Sequence, residues 1–406
     1  MIPVIRSSLL LWLACPFLTH AQSSIPLHEL YFSYELDSLL ESNALRSSGA
    51  ACYYSYIGQY SKALETYDIP LEWGLDTATT GQIDTFTTRY QAMPAVAALA
   101  PALAHQELVI ISEAHHKPQH RIFTRQLLPI LYEQGFRYLG LETLTPSPSG
   151  DHFLLDTALQ ERGYPLYSPV TGFYSREPQM ANLIRDALEL GFEVFAYEAT
   201  SRDIERDLQQ AQNVQHFLAW HPGGKVVLHC GWYHAIESDY PKRKSDHYLA
   251  WHIKQLTGID PYTIYQDALS EKVFVAESPY YAPEAAMPTV FMASDSTFFS
   301  VHHFDVLVNH GHTHYMEQRP HWLGLLPENR WVGIKKKWLR KGQYPVLIKA
   351  FRMDEPSTAC PIDLYEHGDP GRKAYLVLPP GNYRIEVLDR NGKHWTFPLD
   401  VQAKSN

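Results

Sequence analysis

The sequence predicts an α/β protein with a mostly parallel sheet flanked by helices, a helical N-terminal region and a C-terminal antiparallel β-sandwich. Between about residues 106 and 310, aliphatic runs such as 107–112 alternate with amphipathic helical segments, which is typical of parallel strands joined by helical crossovers. After residue 340, strand patterns follow one another with turns and no helices. We therefore expect a signal peptide over 1–21, a helical region over 22–105, an α/β catalytic-like domain over 106–339 and a β-sandwich over 340–406.

Composition narrows the class of protein. Of 406 residues, 45% are hydrophobic and 19% are charged, which suits a large buried core and excludes a wholly disordered chain. The formal charge is −10, and no long basic run is present, so we expect no nucleic-acid partner. Four cysteines in this length exclude a scaffold built on disulfides. The expected ligand is a small molecule or a peptide.

The first residues have the pattern of a secretory signal peptide. Arg6 precedes a short apolar stretch over 9–18, and small residues at Thr19 and Ala21 suit cleavage after Ala21. We therefore expect an exported protein, periplasmic or secreted. A lipoprotein acylated at Cys15 is the alternative. No later stretch has about eighteen uncharged apolar residues, so we expect no transmembrane segment in the mature chain.

Helices are predicted before the sheet begins. Apolar residues recur at spacings of three to four over 27–40 and over 55–67. A third helix is predicted over 86–104, interrupted by Pro94 and Pro101.

The α/β region is predicted from alternating strand and helix patterns. Glycines at the helix ends mark several of the boundaries. Residues 278–303 read as an irregular segment. The predicted strands are 107–112, 137–143, 192–199, 225–231, 262–266 and 304–309, and the predicted helices are 118–134, 180–191, 202–220 and 246–257.

The tail is predicted to be all β. Asn391-Gly392 is a strong two-residue hairpin signal, and Pro380-Gly381 marks another turn. The predicted strands are 345–353, 362–368, 373–379, 382–390 and 393–401.

Acidic and imidazole side chains follow the predicted parallel strands. Ligands of open parallel sheets bind outside the carboxyl ends of the strands, so these side chains are expected to share one edge. Core packing does not account for them, because ionised groups are costly to bury without partners. They are Glu113, His115 and His116 after the first strand, Glu142 after the second, Glu198 after the third, His234 after the fourth, and His310, His312 and His314 after the strand at 304–309.

These residue types suit acid–base chemistry. Glu113 and His115 lie two residues apart, so an extended strand end places both side chains on one side. An imidazole is a suitable general base near neutral pH, and a neighbouring carboxylate fixes its tautomer. We predict that Glu113, His115, Glu142 and His234 are catalytic and activate water. Through His115, Glu142 and His234 the same set suits a divalent Zn, Mn or Fe ion, so metal-free and metal-assisted versions both stay open.

Other residues are predicted to contact substrate. They include Arg176, which can clamp an anionic group or merely precede a helix, and Glu198, which can instead anchor a helix N-terminus. Ser112 is an alternative nucleophile beside His115. No GxSxG elbow, Gly-rich phosphate loop or HExxH motif is present in the sequence. The predicted substrate-binding residues are His116, His120, Arg176, Glu198 and Tyr233.

Residues 111–144 resemble the superfamily that joins erythromycin esterases, ChaN haem-binding lipoproteins and Tiki/TraB putative metalloproteases. Its first motif, Gly-Glu-x-His after a strand, is matched with Ser112 in place of glycine, and its later Gly-x-x-His is matched as well. The resemblance covers about 106–310. The matching residues are Glu113, His115, Pro118 and His120, then Glu142 at the end of the second strand, then Gly231 and His234.

The resemblance implies three kinds of activity. Esterase-like members use the His/Glu set to activate water, Tiki-like members bind a metal with it, and ChaN-like members bind haem. The tail at 378–393 separately resembles the small β-sandwich, of the carboxypeptidase-regulatory type, appended to exported carboxypeptidases and outer-membrane receptors, where it is a structural or docking module.

Three hypotheses follow from the sequence. The first is an exported hydrolase that acts on an ester, lactone or amide. The second is a ChaN-like envelope protein that binds haem or another ligand, with Tyr233, Tyr174 or a histidine as axial ligand. The third is a non-catalytic envelope protein that meets its partner through the C-terminal domain.

Overall fold

The computed structural model describes residues 30–71, 75–149, 152–240, 247–339 and 342–403. The predicted signal peptide, its cleavage position and Cys15 lie outside the described residues. No helix in these ranges is long and apolar enough to cross a bilayer.

An eight-stranded, mostly parallel sheet forms the centre of the described chain. One strand, β7 (Thr289–Ala293), runs against the others and pairs antiparallel with β1 (Tyr90–Pro94) and β8 (Val306–Asn309). The predicted α/β class is therefore confirmed. In spatial order the strands are β1 (Tyr90–Pro94), β7 (Thr289–Ala293), β8 (Val306–Asn309), β6 (Tyr262–Leu269), β2 (Leu108–Glu113), β5 (Lys225–Gly231), β3 (Phe136–Leu141) and β4 (Glu193–Ala196).

Helices cover both faces of this sheet because its strands are apolar on both sides. On β2, Val109 and Ile111 pack against α6 (Gln119–Glu133) and α8 (Pro178–Leu190). Leu108 and Ile110, on the other face, pack against α9 (Arg206–Trp220) and α10 (Leu249–Thr257). The helices are α1 (Ser33–Glu41), α2 (Ser47–Tyr56), α3 (Tyr60–Leu64), α4 (Thr80–Arg89), α5 (Ala95–Leu103), α6 (Gln119–Glu133), α7 (Leu159–Arg162), α8 (Pro178–Leu190), α9 (Arg206–Trp220), α10 (Leu249–Thr257) and α11 (Lys336–Leu339), with 3-10 turns at Tyr174–Arg176, Trp232–Ala235 and His321–Gly324.

Two predicted segments differ from the structure at the sheet edge. The helix predicted over 86–104 is wrong: α4 ends at Arg89, and β1 separates it from α5. Strand β7 lies within the segment predicted to be irregular. Both strands gain their hydrogen bonds from each other and from β8, so distant pairing decides their conformation rather than local pattern. Strand β1 therefore belongs to the central sheet, although it lies in the region assigned to helices.

The C-terminal part is an antiparallel β-sandwich, as predicted. One sheet has the order β13 (Asp363–His367), β12 (Val346–Arg352), β15 (Gly381–Asp389) and β16 (His394–Val401). The other pairs β11 (Arg330–Ile334) with β14 (Ala374–Leu378), so the sandwich includes residues before 340. A separate short hairpin pairs β9 (Tyr315–Met316) with β10 (Arg319–Pro320). Ile334, Leu376, Ile348 and Ile385 join the two sandwich sheets in one apolar core.

Buried ion pairs fasten the sandwich to the rest of the chain. Arg185 on α8 donates to both oxygens of Glu355, at 3.0 and 2.6 Å, and both side chains are almost fully buried. Arg319, the first residue of β10, is paired with Asp363 of β13. The sandwich is therefore attached through charged groups that have no access to water.

Replacing Glu355 by Ala is expected to lower the free energy of unfolding by about 3–5 kcal/mol, because Arg185 is left as an unpaired buried charge. Urea unfolding followed by circular dichroism measures this. The exposed pair Lys254–Asp260 supplies the control, and Asp260→Ala is expected to change stability by about 1 kcal/mol or less. Equal effects of the two substitutions would contradict this account of the attachment.

Candidate functional site

The four residues predicted to be catalytic lie together at the carboxyl ends of adjacent strands β2, β3 and β5. Glu113 Oε1 is 2.9 Å from His115 Nδ1. Glu142 Oε1 is 3.9 Å from His115 Nε2 and 3.7 Å from His234 Nε2. One carboxylate oxygen is thus within 4 Å of two imidazoles.

Glu113 is held beneath His115 by a buried arginine. Arg121, on the first turn of α6, donates to both oxygens of Glu113 at 2.6 Å and to the His115 carbonyl at 2.9 Å. Its remaining nitrogen donates to Glu177 at 2.9 Å. Burial raises the pKa of Glu113, but Arg121 and the hydrogen bond to His115 hold this pKa well below its usual range. Glu113 is therefore an ionised carboxylate that accepts the Nδ1–H of His115.

Aromatic rings fix the plane of the His115 imidazole. Tyr174 lies flat on it, with ring centroids 3.9 Å apart, and Trp232 meets it edge-on at 4.5 Å. Gly231 lets the ring come close, because a Cβ atom there would lie 2.4 Å from His115 Nε2. The next residue, Trp232, has a φ of +32°, a conformation that non-glycine residues rarely adopt. Such local strain is characteristic of functional sites.

A second imidazole–carboxylate pair faces the first. His234 Nδ1 is hydrogen-bonded to Asp207, which is fully buried near the N-terminus of α9. Arg206 Nη1 is 2.8 Å from His234 Nε2. Burial lowers the pKa of His234, but the carboxylates of Asp207 and Glu142 more than offset this, so the pKa is raised.

Arg206 connects the second pair to the carboxylates. It donates to Glu142 at 2.6 Å and to both oxygens of Glu198. Burial raises the pKa of Glu142, but the charges of His234, Arg206 and His115 lower it to about 2. The Arg206 side chain is 24% exposed and that of His234 is 13% exposed, so this side of the cluster meets solvent.

Two of the predicted substrate-binding residues lie beside the cluster. Glu198, half-buried, is bound to Arg206 and accepts from Gln210 at 3.0 Å, which makes it part of the charge network. The ring of Tyr233 packs against Tyr248 and Tyr265, at 6.2 and 6.3 Å between centroids.

Two other residues predicted to bind substrate, His116 and His120, are buried. His116 packs against Tyr67 and Trp232, and burial together with Lys117 lowers its pKa to about 3, so the ring is neutral. It lines a narrow crevice next to the cluster. His120 Nδ1 accepts from the backbone N–H of Ala114 at 3.0 Å. His120 therefore shapes the turn that carries His115, which corrects its predicted contact with substrate.

Arg176 does not reach the cluster. Its side chain is fully buried among aromatic rings, so the predicted clamp on an anionic substrate group is not formed. Ser112 is also fully buried. A cleft of about 440 Å³, lined by residues that include Arg125 and Glu328, contains none of the predicted site residues.

Sequence reasoning missed Arg121, Arg206, Asp207 and Trp232. Arg206 and Asp207 begin α9, the first helix after β4 and Glu198, and this position was the available signal. Arg121 lies on α6, beyond the loop that follows Glu113. Its contact with Glu113 depends on how that loop folds, and the sequence pattern does not show this. The two arginines supply the countercharges that the predicted carboxylates lack.

The predicted metal ligands do not fit a metal as they are placed. The guanidinium of Arg206 is hydrogen-bonded to both Glu142 and His234, so a divalent ion held by these two residues would lie against a positive charge. In the described ranges no group of three His, Cys, Asp or Glu side chains is arranged to hold an ion. His310 pairs with Gln266, and His312 with Glu277.

No protein-family model and no curated protein matches the chain. Among solved structures, the type III effector HopBA1 gives a TM-score of 0.32 at 12% identity, over 54% of this chain and 97% of its own. RRSP, a MARTX toxin effector domain from Vibrio vulnificus CMCP6, gives 0.30 at 16% identity, over 57% and 45%. Pasteurella multocida toxin, described as having a thiol-protease like catalytic triad in its C-terminal region, gives 0.31 at 9% identity, over 84% and 51%. Similarity at this level carries no functional argument.

Replacing Gly231 by Ala is expected to displace His115 without unfolding the protein. The φ of Gly231 is −85°, which alanine adopts freely, so the added Cβ acts through its close approach to the imidazole and, at 3.3 Å, to Glu142 Oε2. Diethylpyrocarbonate labelling read by mass spectrometry is expected to increase at His115, whose side chain is 5% exposed. Gly333→Ala is the control, because its Cβ would meet Tyr375 at an ordinary 3.5 Å. Unchanged labelling of His115 in a folded Gly231→Ala protein would contradict the contact.

Proposed function

We propose that the chain is an exported hydrolase that uses two imidazole–carboxylate pairs to add water to an ester, lactone or amide. One observation carries the proposal: His115 is paired with Glu113, His234 is paired with Asp207, and both Nε2 atoms lie within 4 Å of Glu142 Oε1. Two imidazoles whose Nε2 atoms both approach one carboxylate oxygen suit proton removal from one reactant and proton delivery to another.

His115 is the proposed general base. Because ionised Glu113 accepts only, it fixes the proton of neutral His115 on Nδ1 and leaves the Nε2 lone pair free. The Nε2 atom, which lies 3.9 Å from Glu142 Oε1, takes a proton from water. The water oxygen then forms a bond to the substrate's carbonyl carbon.

His234 is the proposed general acid. With Nδ1 on Asp207, its protonated ring carries a second proton on Nε2, and its raised pKa favours this form. The neutral ring instead accepts from Arg206 at Nε2. Nε2 gives its proton to the departing alkoxide or amine as the carbon–oxygen or carbon–nitrogen bond breaks, and the acid product keeps the oxygen of water.

Arg206 and Glu142 are proposed to set the electrostatics of the reaction. The carbonyl oxygen gains negative charge as water adds, and the part-exposed guanidinium is the positive group beside the two imidazoles. Glu142 stays ionised and orients both Arg206 and the attacking water. This role for Arg206 replaces the positive charge that a metal ion would supply.

The haem-binding and non-catalytic alternatives stay predictions. The flat contact of Tyr174 with His115 and the packing of Tyr233 against other tyrosines engage the rings predicted as axial ligands. The buried ion pairs of the sandwich give it a structural role in addition to any docking role.

Replacing His115 by Ala is expected to lower turnover by about 10²–10⁴-fold, because the base is lost. The assay is hydrolysis of a panel of p-nitrophenyl esters, lactones and fluorogenic peptides, on protein shown to be folded by circular dichroism. His312→Ala is the matched control, since this imidazole lies at the same edge of the sheet and pairs with Glu277. Turnover like that of the wild type in His115→Ala would reject the proposal.

Replacing Asp207 by Asn is expected to move the alkaline limb of the pH profile of kcat/KM to lower pH. The carboxylate of Asp207 raises the pKa of His234, so removing its charge lowers that pKa, and the acid is lost at a lower pH. Asp239→Asn, next to surface His247, is the control. An alkaline limb that does not move, or that moves to higher pH, would contradict the role of His234.

A further inference from the structure

Residues 173–177 support the His115–Glu113 pair from two sides. The ring of Tyr174 lies flat on the His115 imidazole. Three residues later, Glu177 accepts from Arg121, the arginine that also holds Glu113. The orientation of both partners therefore depends on where this short segment lies.

Arg176 points away from the site, toward α2 and the loop that carries Tyr167. Its guanidinium carbon lies 4.8 Å from the ring centroid of Phe173, 5.3 Å from Tyr56 and 5.8 Å from Tyr167. Its Nε donates to the Phe173 carbonyl at 3.1 Å, and the hydroxyl of Tyr56 donates to the same oxygen at 3.0 Å. Cys360 Sγ, from the sandwich side, lies 3.3 Å from the Arg176 carbonyl.

The rings of Tyr53, Tyr56, Tyr167 and Phe173 form an aromatic cage around the fully buried guanidinium of Arg176. No carboxylate of the described residues forms an ion pair with Arg176, and the groups around its guanidinium are these four side chains. Cation–π contacts with several desolvated rings compensate part of the charge. The guanidinium keeps this compensation only while α2, Phe173 and Tyr167 stay in place, so Arg176 ties the segment to the N-terminal helices.

We propose that Arg176 is a positioning residue, which holds residues 173–177 so that Tyr174 and Glu177 keep the His115–Glu113 pair in its reactive geometry. This inference rests on the proposed role of His115 as general base. It also assigns a task to the N-terminal helices: α2 supplies Tyr53 and Tyr56 to the cage that anchors the segment.

The test follows His115 directly by NMR on protein labelled with ¹⁵N-histidine. A proton shared between His115 Nδ1 and Glu113 gives a downfield signal, which is assigned by its loss in His115→Gln. In Arg176→Met this signal is expected to shift and broaden, and kcat is expected to fall about 10–100-fold with little change in KM, because displacement of reacting groups acts on the chemical step. Arg176→Lys keeps the charge in the cage and is expected to recover part of the signal and of kcat.

Arg319→Met is the matched control. Arg319 is equally buried and is also surrounded by tyrosine rings, but its ion pair is to Asp363 in the sandwich. Its loss is expected to reduce stability in urea and to change the His115 signal much less than Arg176→Met does, because Arg319 is connected to Glu177 through Tyr60, whose hydroxyl lies 3.4 Å from Glu177 Oε1. A general loss of stability would instead affect the signal equally in both proteins, and that result would overturn the proposal.

A milder variant keeps the test decisive if Arg176→Met does not fold. Tyr56→Phe removes one of the two hydrogen bonds to the Phe173 carbonyl and is expected to shift the His115 signal in the same direction, by less. An unchanged signal in folded Arg176→Met, or in both Arg176→Lys and Tyr56→Phe, would overturn the positioning role. A shifted signal in a protein with no turnover on any substrate would instead reject the hydrolase proposal and leave the structural anchoring intact.

Discussion

The buried pair between Arg121 and Glu113 is the interaction on which the rest of the site depends. A carboxylate with 1% of its surface exposed is costly to keep ionised, and two short hydrogen bonds from a guanidinium compensate that cost. An ionised Glu113 has no proton to donate, so it accepts from His115 and fixes the tautomer of the imidazole. The arginine is held in turn by Glu177, so α6, β2 and the start of α8 meet at one charge network.

The same solution recurs on the other side of the cluster. Arg206 lies between Glu142 and Glu198, and Asp207 next to it holds His234. One dipeptide at the N-terminus of α9 thus supplies both the positive charge and the orienting carboxylate. The two arginines let three strands, β2, β3 and β4, present carboxylates at one edge without mutual repulsion.

Much of the architecture was predictable, because it depends on local pattern. Aliphatic runs such as that of β2 are buried on both faces, and the glycine after α8 ends that helix in a left-handed conformation. Strands β1 and β7 were missed because each is stabilised by a distant partner, whose presence short-range periodicity does not reveal.

The site was predictable only in its strand-end residues. Glu113, Glu142 and His234 lie at or just after strand ends, and the rule for ligand sites in parallel sheets brings them to one edge. Arg121 and Arg206 lie on helices, where an arginine is usually a solvated surface residue. Their inward direction is set by tertiary packing. Arg176 is the opposite case. Its charge suggested a contact with substrate, but the side chain is buried among aromatic rings and has a structural role.

The ionisation state of Glu113 tests this account most directly. Side-chain ¹³C NMR of glutamate-labelled protein, with the resonance assigned through Glu113→Gln, reports whether this carboxyl binds a proton. The account predicts that the Glu113 signal stays that of a carboxylate as the pH is lowered through 4.5, the ordinary glutamate value. Protonation of Glu113 at or above that pH, in folded protein, would contradict it.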